Sequence, residues 1–326
     1  MIRWHAFFKQ RQNWLAILLI LTFAVTAAAA PLIAPQEDPE SSVPFKPIGQ
    51  SFSRLPEPPS AEHPLGTVPQ IENLPMFGIA PGQDAFYNWD VFFTLVWGTR
   101  SALQFGLVVT IVTAVFGIII GSLSAYLGGW VERLLMAITD GFLAFPVIGA
   151  VWIIQWTLFT AVFDRFADPE TFRWWETILH EFKISPIMLG LILFSWMPYA
   201  RLINSSIAQL RQAEFITAAR SMGATGFRIL FRHLLPNAIS PTLVLMAKDV
   251  GGMVIWAAAF IFIGFGGEVA WAIVLVGSRD FALGLGGNPF VYWWTFLPIA
   301  TAITLFGLGW NLLGDGLNRA MNPHLK

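Results

Sequence analysis

Long apolar runs separated by polar segments dominate this chain. Leu15–Ile33 is 19 residues without a charge, long enough as a helix to cross a hydrocarbon layer of about 30 Å. Five further runs follow. Ala102–Leu127 is uncharged throughout, Leu134–Phe163 carries only Asp140 and is broken by Pro146, and Ile184–Ala200 is short and uncharged. Asn237–Gly267 holds the adjacent pair Lys248 and Asp249, and Val291–Leu313 follows a break at Gly286-Gly287-Asn288-Pro289. The pattern predicts an all-α polytopic membrane protein with about six transmembrane helices, because an isolated span must satisfy its backbone hydrogen bonds internally. A transmembrane barrel would instead alternate polarity in runs of about ten residues. No such runs are present.

Composition agrees. The 326 residues are 56% hydrophobic and 12% charged, with a mean hydropathy of +0.62, whereas an ordinary soluble domain carries about 25% charged residues. The basic N-terminus, the apolar run and the Ala-rich stretch after it share features with a cleaved signal peptide. The length of Leu15–Ile33 favours a retained first span.

Lys and Arg set the orientation. With the N-terminus inside, segments 1–14, 128–133, 201–236 and 314–326 hold eleven basic residues, against seven in the longer external segments. Both termini are therefore expected in the cytoplasm. Three regions result: 1–34 with the first span, an extended external loop over 35–97, and a core over 98–326. Residues 35–90 are rich in Pro, Ser and acidic residues and read as a loop with little regular structure. A second external loop, Asp164–Lys183, carries Trp174 and Trp175 among charges, suited to the headgroup level.

The net charge of −1 gives no electrostatic reason for a nucleic-acid partner. The absence of cysteine removes disulfides and Cys-ligated metals, and the five histidines have no spacing suited to a metal site. No nucleophile, base and orienting group can be assembled from the few polar residues within spans.

The inside segment 201–236 stands out, with five arginines against one acid, Glu214. It predicts a helix over Ser206–Met222, a stop at Gly223, a cap at Thr225 and a second helix over Gly226–Leu235. In the second helix Phe227, Leu230, Phe231 and Leu234 form an apolar stripe, with Arg228 and Arg232 four apart. Such a segment is either a solvated loop against headgroups or a docking element for a groove in a soluble partner.

At these residues the chain resembles a known family. The run Glu214-Phe-Ile-Thr-Ala218-Ala219, then Gly223, then Leu235-Pro236, looks like the EAA loop of ABC-importer permeases, whose pattern is E-A-A, three residues, G, nine residues, I-x-L-P. Thr217 stands for the Glu and His233 for the Ile; Ala218, Ala219, Gly223, Leu235 and Pro236 match in register. Five more matches fall in order. His63-Pro-Leu-Gly-Thr67, Trp97-Gly-Thr-Arg-Ser-Ala-Leu103 and Tyr126-Leu-Gly-Gly-Trp130 with Asp140 and Ala144-Phe-Pro146 resemble motifs of the dipeptide/oligopeptide/nickel permeases. So do Ile263-Gly-Phe-Gly266 and Asn311-Leu-Leu-Gly-Asp-Gly-Leu317. The family passes quickly from LGTD to a GRD triplet; here about fifteen residues separate Thr67 from Gly82-Gln83-Asp84.

The resemblance implies a type I ABC-importer transmembrane domain, paired with a second permease subunit and served by an extracytoplasmic solute-binding protein. It also implies two cytoplasmic ATPase subunits, docked through Glu214, Thr217, Ala218, Ala219, Gly223, Leu235 and Pro236. None of the five lysines follows a glycine, so no phosphate-cradling G-x-x-x-x-G-K-[ST] is present. ATP and Mg are accordingly expected on the partner ATPases, with no cofactor bound by this chain.

Ionisable groups within spans invite functional readings. Asp140 is suited to capping a helix break, to pairing with a cytoplasmic Arg, or to the translocation pathway. Lys248 and Asp249, about 100° apart on a helix, either neutralise each other, pair with the sister chain, or line the pathway. Two other classes remain open. A self-sufficient secondary transporter or channel would show internal inverted repeats, and a membrane-anchored assembly or signalling protein would work through its external loop.

Overall fold

In the computed structural model residues 4–36, 55–72, 85–163, 184–265, 267 and 269–321 are described. The loop with Trp174 and Trp175 and the triplet Gly82-Gln83-Asp84 lie outside them. Helix α1 is Trp4–Phe8 and α2 is Arg11–Ile33. Strands β1 (Thr67–Glu72) and β2 (Ala85–Asp90) pair antiparallel with Thr67 opposite Asp90. Then come α3 (Val91–Leu127), α4 (Gly129–Ala144) and α5 (Val147–Phe163). Helices α6 (Pro186–Phe194), α7 (Met197–Leu210) and α8 (Glu214–Ser221) follow. After α9 (Gly226–Ile229), a π turn (Leu230–Leu234) and α10 (Leu235–Ala238), the chain closes with α11 (Ser240–Ile263), α12 (Ala270–Leu283) and α13 (Trp293–Met321).

Among the described residues five helices are long and apolar enough to cross a membrane: α2, α3, the run Pro186–Leu210, α11 and α13. Helix α4 with the start of α5 makes a sixth, bent by 82°. The bend falls at Phe145, which is extended (φ −78°, ψ 131°), as expected of a residue that a following proline steers away from helix.

Two elements correct the sequence reading. The region 35–97, expected to have little regular structure, holds among its described residues a strand pair and the first turns of α3. Pro69 and Asn88 are poor strand residues in general, yet both are tolerated in a two-stranded ribbon that is all edge. Helix α12, with Trp271, Ala272, Val274 and Ser278 buried, is 14 residues long and so too short for a span to be sought there.

The chain forms two compact units. In the unit built from 17–105 and 254–309, Trp271 is fully buried and packs edge-on against Phe23 and Phe306. Its indole donates to the Leu95 carbonyl at 3.1 Å, over Gly98, where any Cβ would strike the ring. Trp97 donates to the Ala34 carbonyl at 2.9 Å and joins Ala30, Ala34 and Val96 in a buried cluster. His63 Nδ1 lies 2.7 Å from Asp90 Oδ2, while Asp90 Oδ1 accepts from the Phe93 N–H at 2.9 Å at the start of α3. Two of the sequence motifs, HPLGT and WGTRSAL, therefore supply packing contacts.

In the unit built from 1–16, 106–253 and 310–326, α3 and α7 meet through Gly117 and Gly121. A Cβ on Gly117 would stand 2.5 Å from Tyr199 Cβ, and one on Gly121 2.9 Å from Ile203 Cγ2. This is a small-xxx-small contact that lets two helix backbones approach closely.

Candidate coupling hairpin and intramembrane charges

The hairpin begins where α7 ends. The fourth span continues as helix through Leu210, and the chain turns over Arg211–Ala213 before α8. The expected single helix Ser206–Met222 is thus two helices, broken at Ala213, which is extended (φ −71°, ψ 143°). Glu214 lies in the first turn of α8 and Arg220 in the last, each suited to the helix dipole.

Gly223 has φ +81°, a left-handed conformation in which glycine carries no Cβ penalty. The Ala224 N–H donates to the Ala219 carbonyl at 3.1 Å and the Gly223 N–H to the Arg220 carbonyl at 2.9 Å, which is a Schellman stop. Thr225 then caps α9 by accepting from the Arg228 N–H at 3.4 Å. Pro236 cannot donate to the carbonyl four residues back, and the ladder widens into the π turn just ahead of it. Asn237 Nδ2 donates to the His233 carbonyl at 2.7 Å within that widened stretch.

One face of the hairpin is buried. Ile216, Ala219, Ile229, Leu230, Leu234 and Ala238 cluster with Ala125 at the end of α3 and with Ile203 and Ile207 of α7. The other face is open: Glu214, Phe215, Thr217, Ala218, Met222, Phe227, Arg228, Phe231, Arg232 and Pro236 are exposed, and Leu235 is half-buried. The expected apolar stripe of the second helix therefore divides, Leu230 and Leu234 facing in and Phe227 and Phe231 facing out, their rings 4.4 Å apart. Ala219, expected at the docking surface, instead packs inside the hairpin. The open face keeps Met222 82%, Phe227 64% and Phe231 50% exposed.

The intramembrane charges find partners within the chain. Asp140 receives Arg201 through Nε at 2.9 Å and Nη2 at 3.0 Å, the two-point geometry of guanidinium on carboxylate. Lys248 and Asp249 do not neutralise each other. Lys248 Nζ lies 2.6 Å from Asp315 Oδ1 of α13, and Asp249 Oδ2 accepts from the Tyr199 hydroxyl of α7 at 2.6 Å. The helical offset between neighbouring residues sends one to each helix. Sequence reasoning had not singled out Asp315, Tyr199 or Arg201, although Asp315 lay in plain view within the NLLGDGL run. Asn204 Nδ2, which donates to Glu132 at 3.1 Å and Ser124 at 3.2 Å, had also been passed over. Among the described residues no group of three or more His, Asp and Glu is placed to hold a metal ion.

Comparison with known proteins adds the following. The family model described as "Binding-protein-dependent transport system inner membrane component" matches residues 90–326. The dipeptide transport system permease protein DppC of Alkalihalophilus pseudofirmus is 30% identical over 330 residues, covering 99% of this chain and 90% of that protein. The glutathione transport system permease protein GsiD of Pectobacterium atrosepticum is 29% identical, again over 99% and 90%. DppC of Bacillus subtilis is 25% identical over 99% of this chain and 85% of its own length. Among solved structures, an inward-facing form of the MetNI methionine ABC transporter has a chain that superposes with a TM-score of 0.51 at 20% identity. The match covers 71% of this chain and 98% of that one and bears on the fold.

Proposed function

We propose, from the premise that this chain belongs to the family of binding-protein-dependent transport system inner membrane components, that it carries peptides across the membrane as one of two permease subunits. The names of its relatives, which move dipeptides and glutathione, support peptides or small peptide-like solutes as the cargo. In this reading both termini face the cytoplasm, and a solute-binding protein delivers cargo on the opposite side. Two separate ATPase subunits, which hold ATP and Mg, supply the motor.

The observation that carries the reading is the half-buried hairpin 214–238. Its inner face is fastened to α3 and α7, while Met222, Phe227 and Phe231 remain exposed in the same stretch of chain as the exposed Arg220, Arg228 and Arg232. Exposed apolar side chains interspersed with arginines suit a cleft on a soluble protein. Glu214, Thr217, Ala218 and Met222 make the contact, Gly223 stops the docking helix, and Leu235 and Pro236 hold the second helix against the span. Closure of the ATPase pair would push this lever and tilt α7 and α3 with it. Asp140, Lys248 and Asp249 are, in this reading, residues of the translocation pathway; Arg201 pairs with Asp140.

Uptake of a labelled dipeptide into vesicles containing both permeases and both ATPases tests the reading. ATP-dependent uptake that disappears when the ATPases are left out is the expected result. Uptake that continues without them would mark a self-sufficient transporter instead.

A further inference from the structure

Two helix breaks in the unit built from 1–16, 106–253 and 310–326 are directed by prolines. Between α4 and α5 the backbone is extended at Phe145, and the helices meet at 82°. Between α6 and α7 it leaves the helical region at Ser195 (φ −127°, ψ 4°). Pro146 and Pro198 cannot donate to the carbonyls of Phe142 and Phe194, four residues back. Each break therefore lacks a hydrogen bond that would hold it straight.

The two breaks lie against each other. The ring of Phe145 at the first is 5.6 Å from that of Phe194 at the second. Phe142 is 5.6 Å from Phe194 and 5.9 Å from Trp196, and Phe116 of α3 meets Trp196 edge-on at 5.1 Å. Aromatic contacts hold over centroid separations of about 4.5–7 Å and over several ring angles, so segments can turn here and stay in contact.

On either side of this cluster the helices are tied in pairs. Helix α4 is strapped to α7 twice: Asn204 Nδ2 donates to Glu132 Oε1 at 3.1 Å, and Arg201 holds Asp140 at 2.9 and 3.0 Å. Helix α7 in turn carries the hairpin through Ile203 and Ile207. Helix α5 instead packs along α6, so closely that a Cβ on Gly190 would stand 2.8 Å from Val151 Cγ2.

We propose that the two breaks form one hinge, about which α4 and α7 swing together with the hairpin while α5 and α6 stay paired. The inference rests on the permease reading above, in which the ATPases supply the push. Glu132 and Asn204 are then positioning residues: they make α4 follow α7.

Spin labels in the complete transporter in liposomes test this, since the chain has no cysteine of its own. The labels go in pairs on exposed positions. Leu134 with Ser205 reports on α4 and α7, and Ile153 with Leu193 on α5 and α6. Leu134 with Ile153, and Ser205 with Leu193, span the hinge. Trapping ATP is expected to shift both spanning distances by several ångströms and to leave the other two unchanged. Spanning distances that stay fixed in a complex importing a labelled dipeptide would overturn the inference, as would equal shifts in all four. Glu132→Leu with Asn204→Leu removes one strap without leaving either partner unpaired. It should let the Leu134–Ser205 distance shift on trapping ATP and at least double the ATP hydrolysed per dipeptide imported, a ratio that general destabilisation leaves alone. Neither change appearing would overturn the inference; if the double variant does not assemble, the distances in the unsubstituted background decide. Uptake that continues without the ATPases would overturn the permease reading itself.

Discussion

Arg211 Nη1 donates to the Ala125 carbonyl across 2.8 Å. Arg211 closes α7 at the foot of the hairpin, and Ala125 lies in the last turn of α3, where carbonyls have no partner within the helix. A cation there also meets the negative end of the helix dipole. The side chain reaches beside the turn at Gly128 and Gly129, both left-handed with φ +66° and +60°. The hairpin is therefore mounted on two spans by a charged bond as well as by its apolar face, and a force on it is passed to both.

Arg211→Met should detach one mount. A hydrogen bond to a charged group is worth about 1.5–3 kcal/mol, so the thermal transition of the purified complex should fall and ATP hydrolysis should become less dependent on substrate. Side-by-side melting curves and turnover measurements of the two complexes check this.

Gly223→Ala isolates backbone strain, because nothing lies within 4 Å of the added methyl. A left-handed non-glycine residue costs about 1–2 kcal/mol, and Gly223→Asn should cost less. The order Gly, Asn, Ala in melting temperature is the expected outcome.

Tyr199→Phe takes the hydroxyl donor from Asp249 while preserving the ring that Gly117 accommodates. Leaving that carboxylate without its partner should destabilise the chain by about 1–3 kcal/mol. Thermal unfolding in detergent, followed for the variant and for Asp249→Asn with Tyr199 intact, measures the difference.

Gly117→Val should disrupt the contact between α3 and α7. Its Cβ would stand 2.5 Å from Tyr199 Cβ, and overpacking of this kind costs about 1–3 kcal/mol, so α3 and α7 must separate. The expected signature is poor accumulation in the membrane, with Gly117→Ala intermediate.

The spans were legible because apolar runs of this length have few other uses, and Pro146 announced the bend that Phe145 makes. Gly223 and Thr225 were legible because stop and cap chemistry is local. The strand pair was hidden by Pro69 and by its distance from any alternating run. Helix α12 was hidden by its brevity, although Trp271 now anchors a whole cluster. The partners of Lys248 and Asp249 depend on which helices are neighbours, which no local pattern states. The inward turn of Ala219 was equally out of reach: its place in the EAA pattern argues for docking, but the arc of α8 carries it with Ile216 onto the core. Gly117 and Gly121 carry a local small-xxx-small signal, but only the α3–α7 contact shows which helix it meets.

Site-specific crosslinking tests the central claim most directly, and the chain has no cysteine of its own to interfere. Single cysteines at Ala218 and Met222, both exposed, and at Ala219, which is buried, would be treated with a short crosslinker in cells containing every subunit. The account predicts adducts to an ATPase subunit from 218 and 222, strengthened when ATP is trapped, and little from 219. Adducts from 218 and 222 to lipid alone would contradict it.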